Sequence, residues 1–238
     1  MPPRGHSYLV FDIETVVDPA LPHDEFGEGL PPAPFHQVMV LGALWLDADH
    51  GVRRLGLISE DGTERERLLD FTRFVTEQRP TLVSYNGRGF DLPVIVARCL
   101  HHGVPFPHYY AGRDLRYRFS PEGHLDLMDF ITDFGATRAS KLDIVAKSIG
   151  MPGKVGVAGK DVGPLIHAGK IAEVQAYCMS DVVQTAAVHM RLSFVRGLLD
   201  QERYIAAMTS LLDLIAEEER LAVLRDGIDR ERLLLETS

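Results

Sequence analysis

The stretch "YLVFDIETVVD", residues 8–18, carries the pattern on which the fold interpretation depends. Its first half is apolar and aromatic, as in a strand buried inside a protein. Asp12 and Glu14 then follow two positions apart, so in a strand their side chains point from the same face. Two like charges in a low-dielectric interior repel each other, which indicates a positive partner such as a metal ion. The alternative is a pair of solvated acids at a strand end.

Composition and charge are those of an ordinary soluble globular protein. Of 238 residues, 45% are hydrophobic and 25% are charged, which is enough apolar material for a substantial core. No run approaches the roughly 20 apolar residues that a membrane helix needs, and residues 1–6 lead into a strand without an apolar signal segment, so we expect a cytoplasmic protein without a membrane partner. The net charge of −9 means that a polyanionic partner requires local basic patches or bound cations.

The cysteine count is also informative. Cys99 and Cys178 are the only cysteines, and each lies in a helical pattern. We therefore expect two buried free thiols rather than a disulfide framework or a zinc site.

The predicted elements follow in the order three strands, helix, strand, helix, strand and helices. This order favours an α/β fold, a mixed five-stranded sheet with helices on both faces. Thr63 and Glu66 predict a capping box for the helix that Pro80 ends. The segment "HLDLMDFI", residues 124–131, predicts the last strand, and Ser140 is the predicted N-cap of the helix after it.

We expect one compact unit with a C-terminal addition. Residues 1–200 are expected to form the main domain, and residues 201–238 a helical extension of the same domain. A long helix is predicted over residues 170–198 and another over residues 201–224.

Further acids accompany Asp12 and Glu14 along the chain. Asp91 ends the segment "NGRGFD", which follows a short strand; its alternative role is the N-cap of the next helix. Tyr177 and Asp181, in "YCMSD", stand at i and i+4, so in a helix they share one face. A tyrosine near an aspartate is commonplace, and it is the whole set that indicates a common site.

Taken together, "FDIET", "NGRGFD" and "YCMSD" resemble, in order, the three motifs of the DEDD superfamily of 3′→5′ exonucleases. The third motif has a tyrosine, Tyr177, where other members have histidine, so it resembles the tyrosine (DEDDy) subgroup. The second motif has the form Asn-x-x-x-Phe-Asp, which resembles the proofreading domain of family B DNA polymerases. The similarity spans about residues 8–190 and is greatest to stand-alone predicted exonucleases related to that domain. It implies a ribonuclease H-like fold and hydrolysis from the 3′ end of single-stranded or frayed nucleic acid, with DNA as the expected substrate.

Phosphodiester hydrolysis needs an activated water, stabilisation at phosphorus and relief of charge on the departing oxygen, and two divalent ions roughly 4 Å apart supply all three. Oxygen ligands suit Mg²⁺ or Mn²⁺. The resemblance implies that Asp12 bridges both ions. It further implies that Glu14 and Asp181 complete the ion site that carries the water, and that Asp91 holds the second ion through water. Tyr177 is then expected to orient the attacking water, because a neutral phenol is a poor base.

Other residues are candidates for binding the strand or supporting the site. Basic and aromatic side chains alternate through residues 101–119, which is typical either of a guide for single-stranded nucleic acid or of an irregular loop packed on its own aromatics. For Phe90 the alternative role is packing in the core. For Asp126 the alternative is a polar residue near the start of a strand, without a role in the site. His124 and Asp126 are expected to support the site from behind. The predicted substrate contacts are Thr15, Asn86, Phe90, Arg113, Arg116 and Arg118.

Two other functions stay open. One is a catalytically inactive nucleic-acid-binding or scaffold module of the same fold, and the other is an oligoribonuclease-like phosphodiesterase. Clustered acids without metal would destabilise an inactive module, which favours the enzyme. No polymerase region fits within this chain, so proofreading would occur in trans beside a replication or repair protein.

Overall fold

The structure, a computed structural model, describes residues 7–21, 29–112, 114–156 and 159–236. Arg113, one of the predicted substrate contacts, lies outside the described residues. The strands are β1 (Tyr8–Val17), β2 (His36–Leu46), β3 (Val52–Leu57), β4 (Thr81–Ser84) and β5 (His124–Asp126). The α-helices are α1 (Glu64–Gln78), α2 (Asp91–His102), α3 (Pro107–Ala111), α4 (Leu127–Ile131), α5 (Leu142–Ile149), α6 (Val162–His167), α7 (Ile171–Val195), α8 (Gln201–Glu217), α9 (Ala222–Arg225) and α10 (Arg230–Leu233).

The strands form one mixed sheet in the order β3-β2-β1-β4-β5. Strand β2 is antiparallel to β1 and β3, whereas β4 is parallel to β1 and β5. The predicted α/β class, with a ribonuclease H-like five-stranded sheet, is confirmed. Because parallel strands end at the same edge of a sheet, the end of β1 lies beside the loop that leaves β4.

Helices cover both faces of the sheet, and β1 lies between the two layers. Leu9, Phe11 and Ile13 pack with residues of α1 and α2, whereas Tyr8 and Val10 pack with residues of α7 and α8. This alternation follows from the two-residue period of a strand. The even-numbered side chains of β1 therefore face α7.

Several local predictions are confirmed. The Thr63 hydroxyl accepts from the Glu66 N–H at 3.3 Å, and a Glu66 carboxylate oxygen accepts from the Thr63 N–H at 2.8 Å, which makes the expected capping box. Helix α1 then ends at Arg79, whose φ of +48° is left-handed, directly before Pro80. Cys99 and Cys178 are buried free thiols.

Three local predictions are wrong. The strand predicted over residues 124–131 ends at Asp126, because the Asp126 carboxylate accepts from the Met128 and Asp129 N–H groups and so starts α4. Ser140 does not cap α5; Lys141 holds that position without a side-chain hydrogen bond. The helix predicted over residues 201–224 stops at Glu217, where the Glu218 carboxylate accepts from the Arg220 N–H and starts a 3-10 turn at Glu219–Leu221.

The C-terminal helices share a core with α7. Tyr204 and Leu211 of α8 are buried in the same cluster as Met179 of α7. The Tyr204 hydroxyl also donates to the Leu233 carbonyl oxygen at 2.6 Å. This packing supports the proposal that residues 201–238 extend the domain of residues 1–200. None of the described helices has the length and apolar composition needed to cross a membrane.

Candidate active site

The centre of the site is the pair of carboxylates on β1. Ligand atoms of Asp12, Glu14 and Cys178 all lie within 4.8 Å of one another. Asp12 is paired in register with Gly42 of β2, and a Cβ atom at Gly42 would lie only 2.9 Å from the Cys178 Sγ. The absence of a side chain at Gly42 therefore lets α7 pack directly against this part of the sheet.

Asp91 joins the pair from α2. Its Oδ1 accepts a hydrogen bond from the N–H of Ile13 at 3.2 Å, across a separation of 78 residues. This bond fixes the Asp91 carboxylate to the backbone between the two acids of β1. The alternative role of Asp91 as an N-cap is wrong, because Asp91 is the first residue of α2 and Phe90 occupies the cap position.

The four carboxylates interact electrostatically. Burial first, and then repulsion from Asp91, Glu14 and Asp181, raises the pKa of Asp12 well above its ordinary value. Burial, followed by repulsion from Asp181 and Asp91, does the same to the pKa of Glu14. Burial raises the pKa of Asp91 to about 7, and burial raises that of Asp181 to about 6. Four ionised acids in this place require additional positive charge.

Helix α7 contributes Asp181 together with Tyr177. The Tyr177 hydroxyl donates a hydrogen bond to the Asp181 carboxylate, which confirms that the two side chains share one helix face. Burial is the largest cause that raises the pKa of Tyr177, and repulsion from Asp181 adds to it. The phenol is therefore neutral at physiological pH and keeps its proton.

Lys154 supplies a positive charge beside these groups. Its Nζ lies 5.3 Å from the centroid of the Tyr177 ring, and its charge acts to lower the pKa of both Glu14 and Asp181. The Lys154 N–H donates to the Asp143 carboxylate at 2.6 Å, which ties this segment to the first turn of α5. The three motifs do not include Lys154; the sequence signal for it is its position in a glycine-rich connection near "YCMSD".

Asp126 and His124 lie behind the loop that leads to Asp91. The Asp126 carboxylate accepts from the Asn86 N–H at 3.0 Å and from the Arg88 N–H at 2.8 Å, besides capping α4. The His124 Nε2 lies 2.7 Å from the Ser84 hydroxyl at the end of β4. Burial lowers the pKa of His124 to about 3, so its ring is neutral. Both residues contact the loop and strand that carry the second motif.

Three predicted substrate contacts lie near the ends of β1 and β4. The Thr15 hydroxyl is hydrogen-bonded with the His36 Nδ1 at 2.9 Å. The half-buried Phe90 ring meets the His36 ring edge-on, with centroids 4.9 Å apart. Asn86 is exposed and has a left-handed φ of +67°. Phe90 thus has both core contacts and a position next to Asp91.

The two described arginines of the predicted guide differ in their surroundings. The Arg116 guanidinium lies 5.5 Å from the centroid of the Tyr110 ring. Arg118 makes two hydrogen bonds of 2.8 Å to the Asp129 carboxylate, so part of its charge is neutralised. The side chain of Arg88 donates to the carbonyl oxygen of Arg116 at 3.5 Å, which holds this segment beside the second motif.

A partly exposed aromatic cluster borders the same segment, and the sequence predicts only part of it. The ring centroids of Phe119 and Phe134 are 4.9 Å apart, and Tyr117 and Phe130 continue the contacts on either side. Phe134 has a left-handed φ of +57°, which is strained for a bulky side chain. Strain of this kind is found at functional sites. We call Tyr117, Phe119, Phe130 and Phe134 the aromatic cluster.

The donor set fits a hard divalent cation. Carboxylate oxygens are the ligands that Mg²⁺ and Mn²⁺ prefer. The Cys178 thiol donates to the carbonyl oxygen of Asp12 at 3.5 Å, and burial raises its pKa well above the ordinary value. It therefore stays protonated and is a packing group rather than a ligand. Asp12 and Glu14 are therefore the members of this close group that could hold a metal ion.

Comparison with known proteins gives a family match. Residues 29–226 match the model of a family described as predicted 3′-5′ exonuclease related to the exonuclease domain of PolB. The matched range includes Asp91, Tyr177 and Asp181 and begins after Asp12 and Glu14. No curated protein matches the chain.

Solved structures are also similar. The family B DNA polymerase from the hyperthermophilic archaeon Pyrobaculum calidifontis matches with a TM-score of 0.57 and 21% identity, over 96% of this chain and 27% of that chain. The chain thus spans well under half of the polymerase. A structure of exonuclease I has a TM-score of 0.36 and 15% identity, over 88% of this chain and 46% of that one. Escherichia coli exonuclease I in complex with a 5cy-dT13 oligonucleotide has a TM-score of 0.33 and 16% identity, over 84% of this chain and 46% of that one.

Proposed function

The chain belongs to the family of predicted 3′-5′ exonucleases related to the exonuclease domain of PolB, and from this premise we propose that it is a metal-dependent 3′→5′ exonuclease of the DEDDy subgroup. Its proposed substrate is the 3′ end of single-stranded or frayed nucleic acid, with DNA preferred. One observation carries the proposal: Asp91 of α2 and Asp181 of α7 lie close enough to the acids of β1 to raise their pKa values, and the Tyr177 hydroxyl is bonded to Asp181.

Asp12, Glu14, Asp91 and Asp181 are the proposed metal ligands. Two Mg²⁺ or Mn²⁺ ions, when bound, would supply the positive charge that activates water and stabilises the departing 3′ oxygen. The protein contributes the rigidity of the carboxylates, since Asp91 is bonded to the backbone of β1 and Asp181 to the hydroxyl of Tyr177.

Tyr177 and Lys154 act on the substrate side in this proposal. Because its phenol keeps its proton, Tyr177 is suited to position the attacking water by hydrogen bonding rather than to remove a proton. Lys154 places a positive charge over the Tyr177 ring and is suited to bind a phosphate oxygen. Asp126 and His124 keep the loop before Asp91 in place.

The surface beside the second motif supports binding of unpaired bases. Exposed aromatic faces stack on bases without regard to sequence, and nearby arginines attract the backbone phosphates. Tyr117 and Phe119 are 47% and 56% exposed as whole residues, which is consistent with ring surface available for stacking. Thr15, Asn86 and Phe90 are proposed to contact the terminal nucleotide. A replication or repair protein is the proposed partner for action in trans.

A degradation assay tests the function. Single-stranded DNA and RNA labelled at the 5′ end are incubated with the protein and Mg²⁺, Mn²⁺ or chelator. We expect progressive shortening from the 3′ end with metal, none with chelator, and none with Asp12→Asn. Asp213→Asn, which removes an exposed acid of α8, is the matched control and should be fully active.

The same assay separates the rival functions. Binding of the oligonucleotide without release of mononucleotides, with either metal, would contradict the proposal and favour an inactive binding module. Hydrolysis confined to RNA of a few nucleotides would instead favour an oligoribonuclease-like enzyme.

A further inference from the structure

A cavity of about 350 Å³ lies between α1 and the edge strand β3. It opens on the face of the sheet opposite the carboxylates, because Leu9 and Ala43, which line it, point toward α1. Gly56 of β3 also lines it, and a Cβ atom at Gly56 would meet nothing within 4 Å. Helix α1 therefore leaves this part of the sheet uncovered. The volume is within the range of small-molecule sites, roughly 300–1,000 Å³.

Two aromatic side chains form one wall of the cavity. The rings of Trp45 and Phe74 meet edge-on, with centroids 5.4 Å apart. The indole Nε1 of Trp45 is buried and has no hydrogen-bond partner among residues 7–21, 29–112, 114–156 and 159–236. A buried donor without an acceptor costs free energy. Because that nitrogen is covered, the partly exposed ring of Trp45 is the surface that a ligand in the cavity would contact.

Charged groups of both signs line the same cavity. The Asp70 carboxylate accepts from the Ser59 hydroxyl and from the Arg73 guanidinium, each at 2.5 Å, so it is already satisfied. Arg73 has further N–H donors and its side chain is 60% exposed. The side chains of Arg54 and Glu77 form no hydrogen bond or ion pair within the described part of the chain. The cavity thus offers two guanidinium groups and one unused carboxylate.

We propose that this cavity is a second nucleotide site that binds a nucleoside 5′-monophosphate. The base would lie against the rings of Trp45 and Phe74. The phosphate would bind Arg54 and Arg73, and the sugar hydroxyl would donate to Glu77. The source of the ligand rests on the proposed function. In hydrolysis at a 3′ end, the oxygen of water bonds to phosphorus, the P–O3′ bond breaks, and the 3′ oxygen of the remaining strand takes up a proton. The phosphate therefore stays on the 5′ oxygen of the released nucleotide.

A peptide strand added to β3 is the rival occupant, and the edge of this strand disfavours it. Arg53 and Arg54 are both exposed, and the pairing register with β2 is irregular at this point, between Trp45 and Leu46. Exposed charges and irregular register are the features by which edge strands resist pairing with another chain. A small anionic ligand uses the same arginine without needing a regular edge.

Tryptophan fluorescence tests the proposal directly, because Trp45 is the single tryptophan of the chain. The full chain is titrated with dAMP and AMP in excess chelator, and binding is measured in parallel by calorimetry. We expect a saturable change in emission and a matching heat signal. Arg54→Gln should weaken binding about tenfold or more, because a charge-assisted hydrogen bond is lost.

Arg53→Gln is the matched control. Arg53 is the neighbouring arginine, it is paired with Asp47 at 2.9 Å, and it does not line the cavity, so its replacement should leave the dissociation constant unchanged. Deoxyadenosine, which lacks the phosphate, should bind at least tenfold more weakly than dAMP.

Three outcomes would overturn the proposal: no binding at millimolar dAMP, equal binding by Arg54→Gln and the unsubstituted chain, or an emission change with an acidic hexapeptide but not with dAMP. A failure of dAMP binding can be distinguished from a failure of the proposed exonuclease activity. Asp12→Asn should lose hydrolysis and keep dAMP binding. Loss of dAMP binding in that variant would mean that dAMP binds at the carboxylates and not in the cavity.

Discussion

Single side chains at the carboxylates differ in how directly they are held. Asp91 accepts from the Ile13 N–H, and Asp181 accepts from the Tyr177 hydroxyl. The carboxylates of β1 depend more on outside charge, because burial and mutual repulsion both raise the pKa values of Asp12 and Glu14. Removing an acid therefore removes a proposed metal ligand, whereas removing the phenol changes only the positioning of water.

Asp181→Ala should abolish nucleotide release, whereas Tyr177→Phe should lower kcat by roughly 10- to 100-fold and leave measurable activity. The phenyl ring retains the packing, and only the hydrogen bond to Asp181 is lost. Single-turnover hydrolysis of a 5′-labelled oligonucleotide measures both. Full activity of Asp181→Ala would contradict the assignment of the four carboxylates.

Lys154→Met should raise KM for single-stranded DNA and lower kcat, because one charged contact to phosphate is lost. Together these changes should lower kcat/KM by about tenfold. Lys160→Met is the control, because Lys160 is an exposed lysine of the same glycine-rich connection. Equal kinetics of the two variants would mean that Lys154 has no role in binding the scissile end.

At the scale of elements, the loop after β4 and the segment of residues 114–119 behave as one surface. Asp126 holds the loop through two backbone N–H groups, and Arg88 of that loop donates to the carbonyl oxygens of Leu115 and Arg116. The strained turn at Phe134 brings its ring to Phe119. Three separate segments thus supply the aromatic cluster and the arginines beside it.

Replacing Arg113, Arg116 and Arg118 together by Gln should weaken binding of single-stranded DNA and flatten its dependence on salt. The slope of log K against log salt concentration should fall by roughly 0.7 for each phosphate contact that is lost. Because Arg118 is paired with Asp129, we expect a smaller change from Arg118→Gln alone than from Arg116→Gln alone.

Fluorescence anisotropy at several salt concentrations measures these slopes. Replacement of Arg53, Arg65 and Arg203, which are exposed arginines elsewhere on the chain, is the control for the same change in net charge. An identical slope for the two triple variants would exclude residues 113–118 as the binding surface.

At the scale of the whole molecule, two buried imidazoles join the sheet to α7. The rings of His50 and His189 stack with centroids 4.7 Å apart, and both contact the ring of Tyr8. Burial lowers the pKa of His50 to about 4 and that of His189 well below its ordinary value, with the charge of Arg196 adding to the effect on His189. Both rings are therefore neutral in the folded protein.

The free energy of unfolding should fall as the pH is lowered from 6.5 toward 4 because of these histidines. In that range the unfolded chain binds protons that the folded chain excludes, so each histidine contributes a loss of roughly 1.4 kcal/mol per pH unit. The buried acids contribute in the opposite sense, since their raised pKa values favour proton uptake by the folded state. The histidine effect is therefore read as a difference between variants.

Urea unfolding at several pH values, with His189→Phe as the comparison, isolates this contribution. The variant should lose less stability than the unsubstituted chain between pH 6.5 and pH 4, because one excluded proton is removed. Parallel curves for the two proteins would contradict it.

Features that depend on local periodicity and on the order of segments could be predicted from the amino-acid sequence alone. The two-residue spacing of Asp12 and Glu14 puts them on one face of β1, and the i, i+4 spacing of Tyr177 and Asp181 joins them on α7. The capping box of Thr63 and Glu66 is likewise a relation between near neighbours. Such features follow from the geometry of one strand or one helix.

The relations between distant segments could not be predicted from the sequence and became visible in the folded chain. The bond from Ile13 to Asp91, the position of Lys154 over Tyr177 and the pairing of Arg118 with Asp129 each join separate elements. The cavity at Trp45 exists because α1 leaves part of the sheet uncovered. These contacts depend on how elements pack against one another, and no local pattern of residues specifies that packing.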